Sequence, residues 1–266
     1  MYKLMPRLGV LFVAMVLSST MQSQELNQYQ KATYFGEQPT DSLNYLILLP
    51  KGYTKNKAYP LLLFLHGSGE RGSDNQVQLT HGGSLFANDS IRQKHPAIVI
   101  FPQCPSGKSW HNGQYQYANG QGSYAYPATI GPNKQQDLLI GLIAQIQEQY
   151  TVDKNRMYIG GLSMGAMGTF EMVRRNPTTF AAAFAICGGA NLAIVPAIKD
   201  TPWWIFHGTA DTVVPYEYSL QIGDALERAG ALVKLTLYKG VGHDSWTNTF
   251  AEPDLLNWVF SNNRAH

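Results

Sequence analysis

Hydrophobic residues in this chain gather into short continuous runs instead of alternating with polar ones. Asn44 to Leu49, Tyr59 to Leu65 and Pro96 to Phe101 are almost wholly apolar, the pattern of strands covered on both faces. The turn-forming Pro50-Lys51-Gly52-Tyr53 separates the first two, and a polar leader precedes them. From Asn133 the period changes: Leu138, Leu139, Leu142, Ile143 and Ile146 recur at helical spacing, with Asp137 in the first turns. Strand and helix patterns then alternate. Arg156 to Ile159, Ala181 to Cys187, Pro202 to His207 and Leu232 to Tyr238 read as strands, and Met164 to Arg175, Pro215 to Ala229 and Asp254 to Phe260 as helices. This alternation predicts an α/β fold with a mostly parallel sheet and helices on both faces. Ligands in such sheets bind beyond the C-terminal ends of the strands.

One stretch breaks the rhythm. Between Cys104 and Pro132 there is no apolar period, only Gly, Ser, Asn and Gln interleaved with Trp110, Tyr115, Tyr117, Tyr124 and Tyr126. A connection of this length inside a domain is usually functional or disordered. It leaves a strand's C-terminal end, so it can overhang a site, and its aromatic faces and amides suit a sugar or a phenolic ligand. The other reading is a tyrosine-rich loop packed on its own scaffold.

Composition narrows the class. At 266 residues, 44% hydrophobic and 14% charged, the chain has apolar material for one core, and we expect one domain over residues 24–266. A formal charge of +2 with scattered Lys and Arg argues against nucleic acid as a partner. Lys3 and Arg7, the apolar Leu8 to Leu17 and the small, polar Ser18 to Ser23 resemble a secretory signal over residues 1–23. Its apolar run is shorter than the roughly 20 residues a membrane span needs, so a secreted or periplasmic protein without stable membrane insertion is expected. Cys104 and Cys187 are the only cysteines; a disulfide is open to them in an oxidising compartment, but two separate buried thiols are the favoured reading.

The chemistry centres on Gly161-Leu162-Ser163-Met164-Gly165. A strand leads into this pentapeptide and a helix leaves it, the context of the G-x-S-x-G nucleophile elbow, where glycines make room for a strained serine. The amide of Met164 then lies at a helix N-terminus, ready for a developing oxyanion. A serine hydroxyl needs a base, and the base needs a carboxylate to fix its tautomer. In this strand-elbow-helix setting the order is serine, acid, histidine. His207 ends an apolar strand and reads as structural, and His266 is terminal. His243, in Gly240-Val241-Gly242-His243-Asp244 after the last strand, is the expected base. Asp211 stands just past the strand ending at His207 and is the expected acid; its alternative role is to cap the helix at Pro215. Asp200 lies at the wrong end of that strand. The loop His66-Gly67-Ser68-Gly69-Glu70-Arg71-Gly72 supplies a second oxyanion amide, from Ser68 or alternatively Gly69, and Glu70 and Arg71 are expected to brace it as an ion pair. No two histidines share metal-ligand spacing and no phosphate-binding glycine loop is present, so neither metal nor cofactor is expected.

These motifs together resemble the α/β-hydrolase superfamily. The set comprises His66 to Gly72, Pro102-Gln103-Cys104-Pro105 with Trp110, Asp153 through Met167, His207-Gly208 with Asp211 and Val214-Pro215, and Gly242-His243-Asp244-Ser245-Trp246. It is most similar to the bacterial exported esterases often labelled predicted peptidases, related to feruloyl and acetyl-xylan esterases and to polyhydroxybutyrate depolymerase-like proteins. Ala166 departs from the pattern, since relatives often have glycine there. The resemblance implies a serine esterase acting on esters, commonly those that decorate plant or algal polysaccharides. The aromatic loop with Trp110, together with Trp246, is expected to meet the substrate and favours a carbohydrate or hydroxycinnamoyl ester. Two other readings compete. A peptidase of prolyl-oligopeptidase type would use the same machinery, but little chain separates Ser23 from the first expected strand at Asn44, too little for a substrate-selecting propeller. An inactive carbohydrate-binding scaffold would not need serine, acid and histidine together.

Overall fold

In the computed structural model, the sheet that organises the chain runs β1-β2-β4-β3-β7-β8-β9-β10. Its strands are β1 (Gln30–Phe35), β2 (Ser42–Leu48), β3 (Tyr59–Leu65), β4 (Ile98–Pro102), β7 (Val152–Leu162), β8 (Ala182–Ile186), β9 (Trp203–Gly208) and β10 (Val233–Tyr238). A separate antiparallel hairpin, β5 (Gln114–Ala118) and β6 (Gln121–Ala125), lies between β4 and the long helix Lys134–Gln149. The described residues are 26–38, 40–118 and 121–264, with side chains excepted at 117, 118, 121 and 122. The expected signal over residues 1–23 and His266 fall outside them.

β2 runs against both its neighbours, pairing antiparallel with β1 and with β4, and every other pairing in this sheet is parallel. Alternate residues of the inner strands enter different cores. Leu61, Leu63 and Leu65 pack with Phe170 and Trp203 on one face, whereas Leu62 and Phe64 pack with Phe101, Phe184 and Trp204 on the other. Burial on both faces is why these strands read as unbroken apolar runs. Register then sets the site. Leu65 lies opposite Gly161, Leu162 opposite Ile186, Ile186 opposite Phe206, and Gly208 opposite Tyr238. The loops that leave β3, β7, β8, β9 and β10 therefore emerge along one edge.

The structure adds elements that the pattern did not announce. β1 lies within the polar leader; it is an edge strand with no residue of its own buried, so it needs no apolar run. The 104–132 stretch contains the hairpin, and the short helices Gly83–Ala87, Asp89–Lys94, Val195–Ile198 and Trp246–Phe250 span too few turns to display a period. Both cysteines are free and buried.

Candidate active site

Ser163 sits at φ 52°, ψ −118° between β7 and the helix Met164–Arg175. Positive φ is costly for a residue with a Cβ, and here the surroundings enforce it. The Ser163 amide donates to the Ile186 carbonyl at 2.8 Å, and the helix packs so closely that a Cβ on Gly165 would lie 1.9 Å from the Leu65 carbonyl oxygen. A Cβ on Gly161 would meet the Gly165 carbonyl oxygen at 2.4 Å. Both glycines are thus required by close backbone approach. Alanine is accommodated at 166, fully buried in the core.

His243 bridges Ser163 and Asp211. Its Nδ1 lies 2.7 Å from Asp211 Oδ2 and its Nε2 lies 2.9 Å from Ser163 Oγ. A carboxylate accepts only, so Nδ1 carries the proton and the Nε2 lone pair faces the hydroxyl. The loop bearing His243 is held against the end of β9, where a Cβ on Gly208 would lie 2.3 Å from the Val241 carbonyl oxygen. Asp211 does not cap the following helix, which begins at Glu217 with Tyr216 at its N-cap. Its Oδ1 instead accepts from the amides of Val213 at 2.8 Å and Val214 at 2.9 Å.

Sequence reasoning assigned His207 only a structural role, and the structure gives it a more specific place. Its Nε2 is 3.1 Å from Asp211 Oδ2 and 2.9 Å from the Val214 carbonyl oxygen, and its Nδ1 is 2.7 Å from Ser219 Oγ. Both oxygens facing Nε2 accept, so Nε2 carries a proton whichever way the Ser219 hydroxyl turns. Asp211 Oδ2 therefore receives an N–H from each of two histidines. Burial alone would raise the Asp211 pKa, but hydrogen bonds from His207, His243 and the Val214 amide outweigh it and hold the carboxyl well below its usual range.

The loop after β3 approaches the nucleophile closely: a Cβ on Gly67 would lie 3.6 Å from Ser163 Cβ. Ser68 opens a short 3₁₀ turn and Met164 opens a helix, so each contributes an amide with no partner inside its own element. Both line a cavity of about 360 Å³ over Ser163, with Arg71, Ser109, His111, Gly113, Tyr115, Tyr124 and Met167. Glu70 and Arg71 do not form the expected ion pair. Glu70 meets His81 at 3.5 Å, and Arg71 faces the cavity.

Trp110 is a correction. Expected at the substrate, it is wholly buried, its ring 5.4 Å from that of His66 beneath the site. Gly168 makes space for it, since a Cβ there would lie 2.4 Å from Trp110 Cβ. Trp246, only partly buried, stands edge-to-face against His243 with centroids 5.5 Å apart, and 4.8 Å from the ring of His81. Among the described residues, Cys187, Asp211 and His243 present potential metal-ligand atoms within 4.8 Å of one another. The atoms of Asp211 and His243 are already committed to the hydrogen bonds above, and burial raises the Cys187 thiol pKa, so it stays protonated.

The sequence pattern of the phospholipase/carboxylesterase family matches residues 53–253. The chain belongs to this family of carboxylic ester hydrolases. It is an α/β-hydrolase, and its relatives include acetylxylan esterases. One relative is acyl-protein thioesterase 1 of Debaryomyces hansenii, 26% identical over 77% of this chain and 92% of that protein. Another is acetylxylan esterase A of Emericella nidulans, 25% identical over 80% of this chain and 65% of its own length. The match to the bifunctional acetylxylan esterase/xylanase XynS20E of Neocallimastix patriciarum, at 28% identity, spans only 20% of that enzyme. Among solved structures, a thermostable esterase superposes with a TM-score of 0.82 at 33% identity, covering 91% of this chain and 64% of the other. A ferulic acid esterase of Anaeromyces mucronatus shares the fold, with a TM-score of 0.63 at 17% identity over 88% of this chain and 90% of that one.

Proposed function

We propose that this chain is an exported serine esterase that hydrolyses carboxylic esters through an acyl-enzyme, with carbohydrate-linked acetyl or feruloyl esters as its substrates. The observation that carries the reading is the hydrogen-bonded line from Asp211 Oδ2 to His243 Nδ1, at 2.7 Å, and from His243 Nε2 to Ser163 Oγ, at 2.9 Å. Ser163 Oγ attacks the ester carbonyl while its proton passes to His243 Nε2, and Asp211 stabilises the imidazolium. The oxyanion is held by the amides of Met164 and Ser68. Collapse expels the alcohol, which takes the proton from His243. Water then enters, gives its proton to His243 and releases the acid, restoring the serine.

Tyr115 and Tyr124 in the cavity, with Trp246 beside His243, suit a sugar or hydroxycinnamoyl group. Export rests on Lys3, Arg7 and Leu8 to Leu17, and residues 24–266 form one catalytic domain in this reading. Among the described residues no helix is long and apolar enough to cross a membrane.

Replacement Ser163→Ala tests the nucleophile. Turnover of a small acyl ester should fall on the order of 10⁶-fold and labelling by a fluorophosphonate should disappear; a variant retaining most activity would refute the assignment. Acid release from acetylated and feruloylated oligosaccharides, set beside an acyl thioester and a peptide anilide, tests the substrate class. Preference for either of the last two would replace it.

A further inference from the structure

Among the described residues lining the cavity over Ser163, Arg71 is the one with a permanent charge, and no described acid pairs with it. None of the ion pairs among the described residues includes it, and its Nε is buried without a hydrogen-bond partner. The neighbouring acids are engaged elsewhere. Glu70 meets His81, and Asp74 accepts from the Val77 amide at 2.8 Å and from Gln103 Nε2 at 3.2 Å.

Nor does its loop depend on the guanidinium. The Gly72 amide donates to the Cys104 carbonyl at 3.0 Å, Gln103 Nε2 donates to the Glu70 carbonyl at 3.4 Å, and the Asn75 amide donates to Gln103 Oε1 at 2.7 Å. The Cys104 thiol does touch Arg71, but burial pushes its pKa up to about 12, so it remains a neutral, weak acceptor.

The other cavity groups add donors and no negative charge. His111 Nδ1 accepts from the Gly113 amide at 2.9 Å, which leaves the proton on Nε2. Burial, reinforced by Arg71, lowers the His111 pKa to about 4, so the ring is neutral at working pH. Ser68, Ser109, Tyr115 and Tyr124 complete the wall. A guanidinium partly withdrawn from water without a counter-charge is costly. A ligand that brings the missing acid offsets that cost, and the planar fork of arginine fits a carboxylate in a bidentate way.

We propose that Arg71 is a specificity residue that pairs with a carboxylate on the substrate, so that the preferred esters carry an acidic group on their acyl or alcohol part. This rests on Ser163 being the nucleophile of the same cavity.

Two matched pairs test it by kcat/KM. 4-Nitrophenyl hemiglutarate against 4-nitrophenyl butyrate reads an acid on the acyl side; 4-acetoxybenzoate against its methyl ester reads one on the alcohol side. In at least one pair the wild-type protein should favour the acidic member by roughly 10-fold or more. Arg71→Gln should abolish that ratio and Arg71→Lys should retain part of it. High salt should shrink it in the wild type. Each ratio is taken within one protein, so partial loss of folded enzyme cancels. Absence of preference in both pairs, or equal losses on acidic and neutral members in Arg71→Gln, overturns the proposal. Fluorophosphonate labelling separates the two levels. A labelled enzyme indifferent to the acid refutes the role of Arg71 alone, whereas an unlabelled protein inert on every ester refutes the nucleophile and with it the specificity.

Discussion

At the scale of single residues, Asp211 shows how one carboxylate is kept ionised inside a protein. Four N–H donors converge on it, two from backbone amides and one each from His207 and His243. Asp211→Asn should lower kcat on the order of 10⁴-fold, because an amide can no longer hold His243 in the tautomer that leaves Nε2 free. Initial rates on a 4-nitrophenyl ester would show it, and a loss under 10-fold would place the orienting group elsewhere. His207→Gln should act more mildly, on the order of 10-fold in kcat with KM little changed, since it positions the acid without reaching the substrate. A change confined to KM would contradict that role. Trp110 shows the limit of reading single residues. An aromatic in a polar loop suggests a ligand contact, yet the fold draws it under His66.

At the scale of elements, the helix Met164–Arg175 serves the site at both ends. Its N-terminus abuts the carbonyl of Leu65 with no room for a side chain. Gly165→Ala should therefore cost more than about 4 kcal/mol or abolish folding. Gly69→Ala, with nothing within 4 Å, should stay within about 0.5 kcal/mol of wild type. Urea unfolding would compare them, and equal effects would invalidate the packing argument. At the other end Arg174 pairs with Glu171 at 2.5 Å, and its Nη atoms donate to the carbonyls of Pro127, Ala128 and Thr129, tying down the chain that follows the hairpin. Removing one partner of a buried pair strands the other charge, so Arg174→Ala should destabilise by roughly 3–5 kcal/mol. Thermal melting should show this together with faster proteolysis between Tyr126 and Gly131. An unchanged melting temperature would argue against it.

For the molecule as a whole, buried neutral histidines tie stability to pH. His66 donates from Nδ1 to the Gly67 carbonyl and accepts at Nε2 from the Cys104 amide at 2.9 Å, so a second proton would face a donor. Burial lowers the pKa of both His66 and His111 to about 4 from an ordinary value of 6.5. Between those values the unfolded chain binds more protons than the folded one. Stability from these groups is therefore complete above pH 6.5 and declines as pH falls towards 4, by an amount on the order of a few kcal/mol. Asp211, with its depressed pKa, acts in the same direction only in more acidic solution. Denaturant midpoints at pH 7.5 and 4.5 would measure the decline, and equal midpoints would contradict it.

The sequence alone carried the α/β alternation and the proximity of Ser163, Asp211 and His243. Strands buried on both faces must be continuous apolar runs, and parallel strands deliver their following loops to one edge. Tertiary structure decided the rest. The strand Gln30–Phe35 forms because an edge is available to it, not because its residues demand it. The burial of Trp110 under His66 arises from contact between segments far apart in the chain. The histidine four residues before Asp211 reaches it only because the turn after β9 folds back. Arg71 is left without an ion-pair partner among the described residues because the acids near it are engaged elsewhere. A local pattern records which side chains are present, and only packing determines which of them keep a partner.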